Sequence, residues 1–400
     1  MVPVFWLCAR IANGRSIPRT PMNAALAVML MMVGVSLFVT SDIRFSLGKV
    51  SGLALSVLLY WAISRWLTTA RRLKAGTVAF VVAGAGLAAV ALLGTDFGKL
   101  ALGTPAKIPA LMTIAARLPH VIRGVPGAEE GFDPNAVAGA LVLFVPLQLA
   151  LLARRADRWV FPDPATRGFA RVLVFIQVIL LLLTAGTVLL MQSRSAWLGL
   201  AVATVAAVLW QGWRTRVVAA GVASAVGVLA IAFIRTSATG RAISPPGGGW
   251  AGAVAIRMQL WSSGIHGIQD YPLTGMGMNV FRRVMPIRYP TTFTGKDMAH
   301  AHNQLLQVAL DLGIPGLVAY GAMWMIAAVL LVAVYRRSGE RIYRALAGGL
   351  GAGLIAHFVF GMSDAISLGA KVGVLFWMSL ALVVGLHRVA LGRSPAASRT

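Results

Sequence analysis

The chain has 400 residues, of which 58% are hydrophobic and only 12% carry a charge. An average soluble domain has roughly 25% charged residues, so this chain could not cover an apolar core with polar surface. The composition excludes a set of soluble domains and predicts an integral membrane protein. The net charge of +24 would suit nucleic-acid binding, but the basic residues separate apolar runs and form no basic domain. Two other roles explain these charges better: they orient the membrane spans, and they attract anionic lipid or lipid-linked phosphate. We therefore predict no nucleic-acid partner.

Apolar runs long enough to cross a bilayer as a helix occur in ten places. They are residues 22–40, 47–66, 76–94, 135–152, 171–191, 195–211, 217–235, 314–335, 344–363 and 371–391. Prolines break a further segment, 98–122, which could be an interfacial or re-entrant helix or two short extra spans. We therefore predict an all-α polytopic membrane protein with about 10–12 transmembrane helices. The first run is too long for a signal-peptide core and no cleavage site follows it, so we expect a retained anchor.

The charges beside the spans predict their orientation. Most Lys and Arg residues fall in short inside segments if both termini are cytoplasmic. One long outer segment, about 236–310, is nevertheless strongly basic. An anionic substrate would explain this, and contact with phospholipid headgroups is the alternative. The predicted organisation is an N-terminal transmembrane bundle (1–235), the large outer loop (236–310) and C-terminal transmembrane helices (311–400).

Two histidines in the outer loop, His300 and His302, are candidates for chemistry. They open a predicted helix that Gly313 and the Pro315-Gly316 pair end before the next span. Neutral imidazole is a natural general base near neutral pH. The His-x-His spacing would also suit a metal, but no third ligand is near in sequence. A histidine hydrogen-bonded at a helix start is the structural alternative.

Three arginines are candidates for binding an anion. Arg194 interrupts two apolar runs, and a charge at a membrane boundary is a functional candidate, although it could also be a snorkelling turn residue. Arg257 and Arg288 carry guanidinium groups that suit phosphate, or they are simply solvated. Arg257 and Trp261 are four residues apart and share one face of a predicted helix. The single cysteine, Cys8, permits no internal disulfide and no thiolate metal site.

Four segments then carry a resemblance to a known family, in that family's order. They are 133–138 (DPNAVA), 193–198 (SRSAWL), Arg257 and Trp261 followed by Pro-Leu-Thr-Gly-Met-Gly (272–277), and His302-Asn303 followed after nine residues by Gly-Ile-Pro-Gly (313–316). Together they resemble the O-antigen ligase and polymerase superfamily of bacterial envelope glycan assembly. Asp133 departs from the pattern, since the family has Asn there.

The resemblance implies a lipid-donor (GT-C-like) glycosyltransferase of the bacterial inner membrane, with its active site at the periplasmic face in the large loop. The implied donor is a glycan on undecaprenyl pyrophosphate, and the implied acceptor is a sugar of lipid A-core. His302 matches the family's general base, and Arg194 and Arg257 match arginines that engage the pyrophosphate. We also expect substrate binding by Arg288, His300, Asn303 and Trp261. Inner-membrane lipids are expected partners, and no metal, nucleotide or other cofactor is expected.

Two other functions remain open. A polymerase of the same superfamily would use the same donor with another acceptor. Polymerases often have two sizeable outer loops, whereas this sequence has one large loop and one shorter candidate (95–134), which favours a ligase modestly. A transporter or flippase would explain the spans equally well. It would predict inverted repeats and charged residues in the middle of spans, and we find no repeat and almost no such charge. His357 is the exception, and it is typical of a satisfied core histidine.

Overall fold

The computed structural model describes residues 17–97, 108–124, 131–153, 167–209, 249–291 and 298–392. Within these ranges the regular structure is entirely helical, with no strand. The helices are α1 (Asn23–Val39), α2 (Ile43–Trp66), α3 (Ala70–Gly94), α4 (Pro109–Ala115), α5 (Pro134–Leu141), α6 (Val145–Ala153), α7 (Arg167–Leu190), α8 (Arg194–Leu209), α9 (Gly249–Asp270), α10 (Phe281–Arg288), α11 (Gln304–Arg337), α12 (Arg341–Gly361) and α13 (Val374–Leu391). A 3-10 turn, Lys371–Gly373, leads into α13.

Seven helical segments of the described ranges are long and apolar enough to cross a membrane. They are α2, α3, α5 together with α6, α7, α11, α12, and α13 with its preceding turn. The helices α1 and α8 are apolar but shorter. Each of these nine coincides with a predicted span, so the prediction of an all-helical polytopic membrane protein is confirmed. The predicted span 217–235 lies outside the described residues, and segment 98–122 holds only the short helix α4 in its described part.

Apolar side chains cover the outer face of the bundle. On α7, Phe175 and Leu182 are each 65% exposed, and on α1 Phe38 is 92% exposed. Burying one such side chain is worth about 1.5–3 kcal/mol relative to water, so a water-facing surface of this kind would be costly. Lipid therefore surrounds these helices.

The bundle contains two apolar cores. The larger runs through the spans, where α12 packs on α6 and α8, and α11 packs on α1, α12 and α13. A smaller core joins α9, α10 and the start of α11, with Leu260, Phe281 and Leu310 among its buried members. The predicted outer loop thus has packed structure of its own in its described part. The predicted boundary of the outer loop at residue 310 falls inside α11, close to a kink at Gly313.

A glycine kink joins this outer segment to the membrane bundle. We predicted a helix that opens at His300 and ends before the next span. The structure differs at the start, since α11 begins at Gln304, but it agrees at the end, because the helix breaks at Gly313 and a second helical segment runs from there to Arg337. Only Gly313 is non-helical, with φ 69° and ψ 179°. The turn 272–276 packs on it, since Ile314 N–H donates to the Pro272 carbonyl and Met276 N–H donates to the Leu310 carbonyl, both at 2.7 Å.

Replacing Gly313 by alanine is expected to destabilise the protein by about 3 kcal/mol or more. Only glycine readily adopts this backbone conformation, and a Cβ atom there would lie 2.4 Å from the Leu273 carbonyl oxygen. Gly321, on the same helix, is the matched control because its added Cβ would meet nothing within 4 Å. Thermal unfolding in detergent should show a large loss for Gly313→Ala and little change for Gly321→Ala. Equal effects would mean that the kink has no special role.

Candidate active site

The centre of the site is a histidine–carboxylate pair. His302 Nδ1 lies 3.1 Å from Asp364 Oδ1, and the His302 side chain is 24% exposed whereas that of Asp364 is 3% exposed. His302 adopts a positive φ of 48°, which is uncommon for a residue with a side chain. The pair is therefore formed by a strained residue before α11 and a buried residue after α12.

The segment 362–366 is tied to the start of α11. Asn303 caps α11 by accepting from the N–H groups of Leu305 and Leu306, and its amide donates to the Met362 carbonyl at 3.1 Å. The Ile366 N–H donates to the side chain of Gln304 at 2.9 Å. On the other side, the Trp261 indole N–H donates to the His302 carbonyl at 3.3 Å. These bonds fix the position of His302 from both directions, and they involve two residues, Asn303 and Trp261, that the sequence assigned to substrate binding.

The tautomer of His302 follows from its partner. Burial alone would raise the pKa of Asp364, but the His302 hydrogen bond, the charges of His302 and His300 and the Ala365 N–H together lower it. Asp364 is therefore an anion that accepts from Nδ1–H of His302. This leaves the Nε2 lone pair of His302 available to take a proton.

His300 lies against the same carboxylate. Its Nδ1 accepts from the His302 backbone N–H at 3.2 Å, and its Nε2 lies 3.8 Å from Asp364 Oδ1. Burial, followed by the charge of His302, lowers the pKa of His300 to about 4 even though Asp364 opposes the shift. His300 is thus neutral at physiological pH.

Two arginines lie next to this centre. Arg257 Nε donates to the Ser363 carbonyl at 2.8 Å, and Ser363 Oγ donates to Ser195 Oγ at 2.8 Å. Arg194 begins α8 beside Ser195, and its charge interacts with that of Arg257. Guanidinium groups suit a phosphate or pyrophosphate anion. The structure therefore brings Arg194 and Arg257 together beside His302 and Asp364, although they are far apart in sequence.

A second carboxylate, Asp133, faces the pair. It caps α5 by accepting from the Asn135 N–H at 2.9 Å. The side chain is open to water, yet the surrounding protein, followed by the negative charge of Asp364, raises its pKa. Its charge also interacts with that of His302. Asp133, the first residue of the motif 133–138, thus lies at the site.

The other arginines of the outer segment occupy different places. Arg283 forms an ion pair with Asp42 at 2.6 Å and lies over the Phe45 ring. Arg288 is exposed at the end of α10 and interacts with Tyr289, whose hydroxyl donates to Asp270. No contact among the described residues links Arg288 to His302.

Comparison with known families gives this site its context. Residues 178–321 match the family described as O-Antigen ligase. This segment belongs to the O-antigen ligase family. The match contains Arg194, Arg257, His300 and His302, so the resemblance inferred from the motifs is confirmed. Comparison with curated proteins gives no match.

The match over residues 178–321 supports a broad function. It indicates a glycan-handling reaction of ligase or polymerase type, with transferase-like activity on lipid-linked glycans. Both carboxylates of the site lie outside the matched segment, at residues 133 and 364. Sequence reasoning missed Asp364 as a site residue. The signal that could have indicated it is a lone acid at the end of a predicted span, where ionisable groups are functional candidates.

The site also contains a possible metal-binding group. One ligand atom each from His300, His302 and Asp364 lies within 4.8 Å of the others. Asp364 is the third ligand that was absent from the neighbouring sequence. Two observations weigh against a dication. His302 already uses Nδ1 for Asp364, and His300 interacts with the positive charges of Lys49 and Arg282.

Acid is expected to destabilise the protein through His300. The folded-state pKa of about 4 lies below the unfolded value of 6.5, so the unfolded chain binds a proton first as the pH falls. The contribution of His300 to the free energy of unfolding is therefore full above pH 6.5 and decreases below it, by about 2 kcal/mol at pH 5. Melting temperatures between pH 7.5 and 5 should therefore fall more steeply for wild type than for His300→Gln. Parallel curves for the two proteins would contradict the assignment.

Proposed function

We propose that the protein is an O-antigen ligase that transfers a glycan en bloc from undecaprenyl pyrophosphate to a sugar hydroxyl of lipid A-core. The observation that carries this proposal is the hydrogen-bonded His302–Asp364 pair beside Arg257 and Arg194. A base with a free Nε2 suits an acceptor hydroxyl, and paired guanidinium groups suit a pyrophosphate. The family match supports the class of reaction.

The proposed base is His302. Its Nε2 takes the proton of the acceptor hydroxyl as the hydroxyl oxygen bonds to the anomeric carbon of the donor. The bond from that carbon to the pyrophosphate oxygen breaks at the same time, so the displacement is in line and inverts the configuration. Asp364 accepts Nδ1–H and stabilises the imidazolium that forms. Asp364 is thus a positioning residue, and Asn303 and Trp261 hold the backbone of His302.

The proposed role of Arg257 and Arg194 is to stabilise the leaving group. Negative charge on the pyrophosphate increases as the sugar departs, so groups placed there stabilise the transition state more than the bound donor. This role replaces the divalent cation that many transferases use, and we propose that no metal or nucleotide cofactor is required. His300, Asn303, Trp261 and the exposed Arg288 are assigned to substrate binding.

The proposed setting is the bacterial inner membrane. Both termini are placed in the cytoplasm, and segment 236–310 is placed in the periplasm as the loop that carries the site. The distribution of Lys and Arg around the spans supports this orientation. The spans on either side would then form the N-terminal bundle (1–235) and the C-terminal helices (311–400).

Replacing Asp364 by asparagine is expected to lower kcat by about 100-fold, because the amide no longer fixes the tautomer and ring orientation of His302. KM for donor and acceptor should change little, since Asp364 contacts neither in this proposal. Steady-state kinetics of the purified protein measure both quantities. A loss confined to KM would place Asp364 in substrate binding instead.

The proposal is tested first by lipopolysaccharide banding in a strain that lacks the gene. Core without O-chain, together with long glycan accumulated on undecaprenyl pyrophosphate, is the result expected of a ligase. Core that carries a single repeat unit would mean a polymerase, which shares the donor. Unchanged lipopolysaccharide would overturn both and favour another surface glycan or a transport function. Ligation by the purified protein in excess chelator tests whether the His300–His302–Asp364 group needs a metal.

A further inference from the structure

A second group of cations lies near His300, on elements other than those that carry Arg194 and Arg257. Lys49 comes from α2, Arg282 from α10 and Lys371 from the turn before α13. The charge of Lys49 interacts with those of Arg282 and Lys371. Lys49 and Arg282 also interact with His300. These three residues, the Lys49 cluster, are distinct from the Arg194–Arg257 pair.

Glycine contacts bring the segment before Lys371 onto the turn of α2 that contains Lys49. Gly369 has a φ of 76°, and a Cβ atom there would lie 1.9 Å from the Lys49 carbonyl oxygen. A Cβ atom on Gly52 would lie 2.2 Å from the Gly369 carbonyl oxygen. The chain between Asp364 and Lys371 therefore lies directly on the turn of α2 that contains Lys49. The same short segment thus supplies both the carboxylate of the active site and one cation of the cluster.

Hydrogen bonds bring Arg282 to the same turn. Ser46 Oγ donates to the Met278 carbonyl at 2.7 Å, and the Asn279 amide donates to the Phe45 carbonyl at 3.0 Å. The Arg282 guanidinium carbon lies 5.8 Å from the centre of the Phe45 ring. Phe45 and Lys49 are four residues apart and share one face of α2. Three separate elements therefore converge on one cationic site.

An acidic residue also lies beside Lys49. The buried Asp311 interacts with Lys49, and it already accepts from Gln307 and from the Asn279 N–H. Lys371 is exposed, so the cluster is open to solvent on one side. Three cations from separate elements, with Lys371 open to solvent, suit a phosphate group.

We propose that the Lys49 cluster is a second anion subsite that binds a phosphate group of the acceptor and orients its hydroxyl toward His302. This inference rests on the proposed function. In an inverting displacement the nucleophile and the leaving group lie on opposite sides of the anomeric carbon. The Arg194–Arg257 pair is assigned to the leaving pyrophosphate. An anion site separate from that pair, adjoining His300, therefore fits the acceptor.

The test uses full-length protein in lipid nanodiscs with undecaprenyl-pyrophosphate glycan as donor. Two acceptors are compared: lipid A-core with its phosphates, and the same molecule after phosphatase treatment. Lys49→Gln and Lys371→Gln are each expected to raise KM for the phosphorylated acceptor about tenfold and to leave the donor KM unchanged. With the dephosphorylated acceptor, wild type and variants should have the same raised KM. Arg44→Gln, which removes an exposed cation of α2, is the control and should behave as wild type.

Three outcomes would overturn the proposal. A raised donor KM would assign the cluster to the pyrophosphate, and equal effects on the two acceptors would mean that acceptor phosphate is not bound. Effects that depend only on the phosphatidylglycerol content of the nanodisc would assign the cluster to lipid headgroups. Lys371→Gln keeps the test valid if Lys49→Gln fails to fold, because Lys371 is exposed.

A binding measurement separates this inference from the proposed function. Binding of the two lipid A-core forms to wild type and Lys371→Gln is measured without donor. Wild type should prefer the phosphorylated form about tenfold, and the variant should lose that preference. If wild type shows the preference but transfers no glycan, the proposed function fails and the subsite stands. If it transfers glycan without the preference, the subsite fails alone.

Discussion

Replacing His302 by alanine is expected to lower kcat by about 10²–10⁴-fold, the range that general base catalysis contributes. The alanine variant has no group in place of Nε2 to take the acceptor proton, while Asn303 and Asp364 keep their backbone positions. KM for both substrates should change much less than kcat. Single-turnover transfer of labelled glycan to lipid A-core measures the chemical step directly.

His266→Ala is the matched control for this variant. His266 lies on α9 and is exposed, so its removal should leave kcat and stability close to wild type. Wild-type transfer by the His302→Ala protein would refute the assignment of the base. A loss shared by both variants would indicate general damage rather than lost chemistry.

Replacing Arg257 by glutamine is expected to lower kcat by about 10²–10³-fold, the usual cost of removing one group that stabilises transition-state charge. The variant also loses the donation from Nε to the Ser363 carbonyl, which ties α9 to the segment that contains Asp364. Arg257→Lys should recover only part of the rate, because an ammonium lacks the planar fork of a guanidinium. Transfer rates with a glycan on undecaprenyl pyrophosphate give the comparison.

The control for Arg257 is Arg117→Gln, which removes an exposed positive charge elsewhere in the chain. If that variant also loses activity by 100-fold, the effect reflects the overall electrostatic field of the protein and not a specific role of Arg257. A donor with a better leaving group should reduce the defect of Arg257→Gln. A defect that is independent of the leaving group would remove Arg257 from the proposed mechanism.

The spans could be predicted from sequence because each depends on local composition. Lipid requires an apolar run of fixed length, and that requirement is visible in any window of the chain. Nine predicted runs coincide with helices for this reason. The helix break at Gly313 was predictable for a similar reason, because the glycine and the proline at 315 are typical of a helix end. The packing of the turn 272–276 against Gly313 was not predictable, because it joins segments that are distant in sequence.

The site was predictable only where its residues lie in motifs. His302, Arg257 and Arg194 could be proposed from local patterns and from the family resemblance. Asp364 was missed, since 62 residues separate it from His302 along the chain and its only local signal is its place at the end of a predicted span. Asn303 shows a different difficulty, since its residue was predicted but its role was not. Its residue type is a preferred helix cap, and in the structure it caps α11 and holds Met362, a structural role that local rules could have predicted.

The pairing of His302 with Asp364 has a consequence for biogenesis. The histidine precedes α11 and the carboxylate follows α12, so two further helices must be inserted before the two residues can meet. A nascent chain that has reached only the end of α11 carries the base without its partner. If His302 is the proposed base, an insertion intermediate lacks the carboxylate that orients it. The proposed transfer would then reach its full rate only after the helices up to Asp364 are assembled.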